Sequence, residues 1–115
     1  MPHIDSATRD RIRELNDAFR KTFERSKGLP VLTAGVASLP SDVRAMAIRK
    51  VATFDAFDQE NDPHGEHDFG AFDLAGERFF WKIDYYDQKM EYGSEDPADP
   101  TKTTRVLTLM LAEEY

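Results

Sequence analysis

The chain has 115 residues and 13.2 kDa, with 15 Lys and Arg against 22 Asp and Glu, a net charge of −7 and a pI near 4.9. That length makes one domain, residues 1–115, and a chain of this size buries roughly two thirds of its unfolded surface, enough for a core without staples. No cysteine is present, which excludes a disulfide frame, a thiolate nucleophile and a Cys-based zinc site. A hydrophobic share of 40% argues against disorder. No window approaches the ~18 apolar residues of a membrane span, and the N-terminal run is charged and lacks a signal-peptide core. A soluble, cytoplasmic protein is the expectation.

From Asp5-Ser6 onward, Ile12, Leu15, Ala18, Phe19 and Phe23 recur at helical spacing, predicting an amphipathic helix of about four turns that stops at Gly28. Val31-Leu32-Thr33-Ala34 is too short for a helix before Gly35 and reads as a strand. Ser41 is the expected N-cap of a second helix over Asp42–Thr53, with Val43, Met46, Ala47, Val51 and Phe54 as its apolar stripe. Residues 55–68 are polar, contain Pro63 and Gly65, and read as a long loop. Two runs, 69–74 and 77–86, bracket Ala75-Gly76 and predict a hairpin. In the second run Phe79, Trp81, Ile83 and Tyr85 share the core face, and Arg78, Phe80, Lys82, Asp84 and Tyr86 the other. Met90-Glu91-Tyr92 is the expected third strand. Residues 103–115 alternate like a strand, but their Leu-Met-Leu-Ala-Glu-Glu composition tilts the reading to a helix. The expected fold is α+β: two N-terminal helices, a three- to four-stranded antiparallel meander and a C-terminal helix.

Charge is unevenly placed. Residues 1–53 carry ten basic and six acidic side chains, and residues 54–115 carry five basic and sixteen acidic, so the halves stand at +4 and −11. An acidic half of that strength repels phosphates and favours cations or basic protein surfaces.

The densest polar segment is Asp58–Asp68, which holds two of the three histidines. His64, Glu66, His67 and Asp68 are of the donor types a divalent metal accepts in a cysteine-free chain. Asp58, Glu60 and Asp62 echo a calcium loop, but Pro63 sits where that loop requires glycine and Phe69 where it requires glutamate. His64-Gly65-Glu66 lacks the cysteine half of the zinc deaminase signature. The competing reading is a self-bonded turn, with Asp62 before Pro63 as the turn starter and Asp68 or His67 serving exposed backbone. The second candidate surface is the outer face of the hairpin, where Phe80 and Tyr86 interleave with Lys82 and Asp84.

Leu15-Asn16-Asp17 with Phe19, Leu32-Thr33-Ala34-Gly35-Val36, the motif Asn61-Asp62-Pro63-His64-Gly65-Glu66-His67-Asp68-Phe69-Gly70, the motif Phe79-Phe80-Trp81-Lys82-Ile83-Asp84-Tyr85-Tyr86-Asp87 and the tail Leu109-Met110-Leu111-Ala112 together resemble a family of small bacterial proteins of unknown function. The resemblance implies an alphaproteobacterial, often plasmid-borne setting and a compact single domain. It carries no catalytic role, and it favours accessory roles such as regulating a host system.

The leading functional expectation is a non-enzymatic interaction or regulatory module without a cofactor. Its binding residues are Asp62, His64, Glu66, His67, Asp68, Phe80, Lys82, Asp84, Tyr86 and Asp87, and its partner a protein with a basic surface or a second copy of the chain. Neither nucleic acid nor membrane is expected to bind. The alternative is a divalent-metal protein or enzyme built on His64, Glu66, His67 and Asp68.

Overall fold

Helix α1 (Ser6–Thr22) starts where Asp5 accepts the backbone N–H of Thr8 at 2.7 Å, a side-chain cap on a helix whose first N–H groups have no internal partner. It ends at Phe23, which takes a left-handed conformation (φ 55°) and returns its N–H to the Phe19 carbonyl. The stop therefore precedes Gly28. That glycine is needed for space instead, because a Cβ there would lie 2.7 Å from Cζ of the fully buried Phe19. The computed structural model describes residues 5–115, so residues 1–4 of the expected domain lie outside the described residues.

Strand β1 (Leu29–Leu32) is followed at once by a one-turn helix α2 (Ala34–Ala37), which the sequence had assigned in part to the strand. Glu114 ties this turn down: its carboxylate accepts the Thr33 hydroxyl at 2.7 Å, the Gly35 N–H at 2.9 Å and the Leu111 N–H at 2.9 Å. These three bonds hold the carboxyl below its ordinary range. Helix α3 (Ser41–Thr53) lies where expected, with Pro40 rather than Ser41 in the capping position.

Strands β2 (Phe69–Leu74) and β3 (Glu77–Tyr86) form the expected hairpin around Ala75-Gly76, both at positive φ. Two expectations fail beyond it. Met90-Glu91-Tyr92 is a turn, with Met90 at φ 60° and a single bridge from Tyr86 to Gly93, because Asp87 caps the Glu91 N–H and bends the chain away from β3. The C-terminal segment is not a helix but strand β4 (Thr104–Leu111), closed by a 3-10 turn, Ala112–Glu114. The sheet order is β1-β4-β3-β2, antiparallel except for β1, which runs parallel to β4. It is a mixed sheet and not a meander. β4 is a central strand buried on both sides, and such strands read as continuous apolar runs that composition alone confuses with helix.

The register divides the sheet cleanly. Phe79, Trp81, Ile83 and Tyr85 of β3 share a face with Leu111, Leu109, Leu107 and Arg105 of β4 and with Gly70 and Phe72 of β2. Phe19, Val36, Ala47 and Val51, from α1, α2 and α3, pack on this face and complete the core. Phe69, Phe80, Lys82, Asp84, Tyr86, Val106 and Met110 lie on the opposite face, and none of them belongs to that core. The α+β class holds, with three helices on one side of a four-stranded mixed sheet.

Candidate functional site

The loop between α3 and β2 is stitched to itself. Asp58 accepts the N–H groups of Glu60 and Asn61, and Asn61 returns its side chain to the Asp58 N–H and the Ala56 carbonyl. Asp62, buried, accepts the N–H groups of Glu66 and His67 at 3.1 Å each. Gly65 and His67 both take positive φ, which lets the chain reverse within a few residues. Asp87, Asp96 and Asp99 cap backbone N–H groups in the second acidic loop in the same way. Many of the acidic residues of this half thus serve their own turns.

The stitched loop is then fastened to α1. His67 Nδ1 lies 3.0 and 3.1 Å from the two Asp17 oxygens; an ionised carboxylate only accepts, so Nδ1 is the donor. The imidazole stacks on Phe57 with ring centres 3.8 Å apart, and its Nε2 stands 3.8 Å from Asp62 Oδ2. Asp17 also binds the buried Arg20, whose guanidinium donates onward to the Val51 carbonyl at the end of α3 and lies over Phe57 and Trp81. One carboxylate therefore joins α1, α3 and the loop.

The residue before Asp17 on α1, Asn16, is fully buried and makes three bonds. It donates to the Glu66 carbonyl and the Tyr85 hydroxyl and accepts Nε of Arg105. Tyr85 donates to Glu66 Oε1 at 2.7 Å, and burial, followed by that bond, raises its phenol above the ordinary range.

The residues singled out from the sequence are therefore divided. Asp62 turns into its own loop, His67 reaches Asp17 of α1, Glu66 meets Tyr85 of β3, Asp68 is half-buried, His64 stays exposed at the tip, and Asp84 pairs with Lys82 at 2.8 Å on the opposite face of the sheet. Asp87 caps its own turn. Among the described residues no group of three or more His, Asp or Glu side chains is placed to hold a metal ion. Phe80, Lys82, Asp84 and Tyr86 do share one face, as the alternation predicts. The residues that organise the region, Asn16, Asp17, Arg20, Tyr85 and Arg105, were not singled out. Asn16 carried a signal: it sits four residues after Ile12 and three before Phe19, on the apolar stripe where a polar side chain needs a buried partner.

Asp68 has only its own backbone N–H and the nearby His64 to favour its ionised form. Burial, then Glu66 beside it, raises its carboxyl from an ordinary 3.8 to about 6. Above pH 6 the fold holds a half-buried anion that the unfolded chain leaves in water, so its destabilisation is complete there, fades as pH falls toward 4 and is absent below. Asp68→Asn is expected to stabilise the protein by about 1 kcal/mol at pH 8, after allowance for solvent screening, and to change little at pH 4. Urea denaturation at the two pH values checks this; a destabilised variant at pH 8 contradicts it.

Among the described residues no helix is long and apolar enough to cross a membrane. No curated protein and no solved structure matches the chain significantly. The profile of the family described as "Protein of unknown function (DUF3768)" matches residues 32–114, from the end of β1 through the closing turn. With most of its length inside that match, the chain belongs to the DUF3768 family.

Proposed function

We propose that the protein is a non-enzymatic interaction module, and that it docks a basic protein surface on the face of its sheet opposite the helices. The observation that carries this reading is the one-sided packing of the helices: Phe19, Val36, Ala47 and Val51 of α1, α2 and α3 pack on one face, while on the other Phe69, Phe80 and Tyr86 stay partly exposed around the buried Val106 and Met110. Tyr115 leans over the edge of this face, its ring 6.4 Å from Phe69 and 5.5 Å from Phe80, and it is itself exposed. Aromatic and aliphatic side chains grouped beside polar ones are the composition of binding surfaces.

The charged residues on the patch largely neutralise one another, Lys82 with Asp84 and Arg78 with Asp73. The long-range field comes from the surrounding acidic half and favours a partner of opposite sign, steering approach more than holding the complex. The acidic loops contribute field rather than contact in this reading, since so many of their carboxylates are engaged by backbone.

A photo-crosslinking amino acid placed at Lys82 or Thr108 tests it. Adducts to a basic protein are expected from both positions and not from Ala45 on α3, with most of the yield lost in about 0.5 M salt, where screening lengths fall to a few ångströms. Phe80→Ser should remove them. Adducts of twice the chain mass would instead make the face a homodimer interface, and equal yields from Ala45 would overturn the reading.

A further inference from the structure

Arg105 differs from the other buried arginine. Arg20 is held by the Asp17 carboxylate at 2.9 Å, whereas Arg105, only 3% exposed, forms no ion pair among the described residues. Its Nε bonds the neutral Asn16, its Nη2 the Pro97 carbonyl, and its guanidinium lies 5.3 Å from the centre of the Tyr85 ring. Glu66, the nearest acidic influence, is already bonded by Tyr85. Burial, with Arg11 adding like charge, pushes the Arg105 pKa below its usual range. A buried cation with no anion against it is unfavourable, and a fold that keeps one has a use for it.

Arg105 lines a concavity of about 740 Å³ between the second half of α1, the turn before β1 and the segment leading into β4. In a chain of net charge −7, this concavity is lined by three cations, Arg25, Lys27 and Arg105, and by no Asp or Glu. Among the described residues Arg25 makes no ion pair or hydrogen bond, and Lys27 meets only the exposed Glu24, at 3.1 Å. Arg105 Nη1, unlike Nε and Nη2, donates to no protein atom among the described residues. Since Trp81 Nε1 is the one buried side-chain donor without a partner among the described residues, Nη1 is reached by solvent. Leu15, Leu29 and Met90 supply the apolar part of the wall. The volume is that of a small-molecule site, and a mainly apolar lining with a few convergent polar groups is the usual form of one.

We propose that this concavity binds a small amphipathic organic anion, its carboxylate or phosphate head on Arg105, Arg25 and Lys27 and its apolar body against Leu15, Leu29 and Met90. An arginine with a free N–H and two flanking cations suits an oxyanion of either kind. The site is separate from the sheet face assigned to protein docking.

Titration of the full chain with octanoate and with octyl phosphate, followed by methyl NMR and calorimetry, tests the proposal and separates the two head groups. At least one is expected to saturate a single site below about 1 mM, shifting the methyls of Leu15, Leu29 and Met90 while Met110 on the far face stays in place. Octanol is expected to bind at least about tenfold more weakly, as the charge-assisted bonds are lost. Arg25→Gln with Lys27→Gln, both exposed and away from the core, should weaken binding about tenfold with an unchanged melting temperature. Arg105→Gln should remove it. If Arg105→Gln fails to fold, the Arg25/Lys27 variant decides. No saturation with either anion, shifts elsewhere, equal binding of octanol, or an unaffected Arg25/Lys27 variant would overturn the proposal.

Discussion

Asp17→Ala is expected to lower the stability of the fold by about 3–5 kcal/mol, the usual consequence of removing one partner of a buried ion pair. The carboxylate accepts Nη2 and Nε of Arg20 at 2.9 and 3.2 Å and the imidazole of His67. Without it, Arg20 remains under Phe57 and Trp81 as a buried cation that keeps only the carbonyls of α3. The loop around His67 is freed from α1 in the same step. Replacing Arg20 by Met in the Asp17→Ala background removes the stranded charge, so the double variant should lose less than the two single losses together, by more than about 1 kcal/mol. Chemical denaturation of the three variants is the measurement. A single variant within about 1 kcal/mol of the parent would mean that the pair is ornamental to the fold.

The second large effect is expected at Gly70, which faces Trp81 across the hairpin. A Cβ there would stand 2.7 Å from Trp81 Cε2 and 2.9 Å from Phe54 Cε1, closer than carbon atoms pack. The indole is fully buried and meets Phe54 and Phe57 edge-on, so it has no empty side to move into. Gly70→Ala is expected to cost about 2–3 kcal/mol by overpacking. Trp81 is the only tryptophan, so its emission reports the displacement directly. Gly76→Ala makes the contrast: nothing lies within 4 Å of the added carbon, but φ is +79°, and the loss should be about 1 kcal/mol of backbone strain with unchanged emission. If Gly70→Ala melts with the parent and emits like it, the packing described around Trp81 is wrong.

Much of the architecture was legible because it is local. The stripe from Ile12 to Phe23, the Ala75-Gly76 turn and the inward run Phe79, Trp81, Ile83, Tyr85 each follow from the period of one element. β4 was not legible as a strand because both of its faces are covered, so the polar–apolar contrast that separates period two from period 3.6 is missing. Its parallel pairing with β1 joins residues over seventy positions apart, as Leu32 and Leu109 show, and no local pattern encodes that. In the loop, turn chemistry at Asp62 and Gly65 was readable, whereas the destination of His67 was not: its partner, Asp17, looked like one more charge on a solvated helix. Arg105 could have been caught by parity, because it shares the face of Leu107, Leu109 and Leu111 and so had to point inward.

The place of β4 also bears on how the chain is made. Strand β4 lies between β1 and β3, so β1 has no place in the sheet, and β3 is paired on its β2 edge alone, until residues 104–111 have emerged from the ribosome. Until then the hairpin presents the bare edge of β3 and the apolar stripes of α1 and α3 lack half of their counterpart. Nascent chains stalled before Thr104 would be sticky substrates for holding chaperones, and completion of the sheet is a late event that waits for β4.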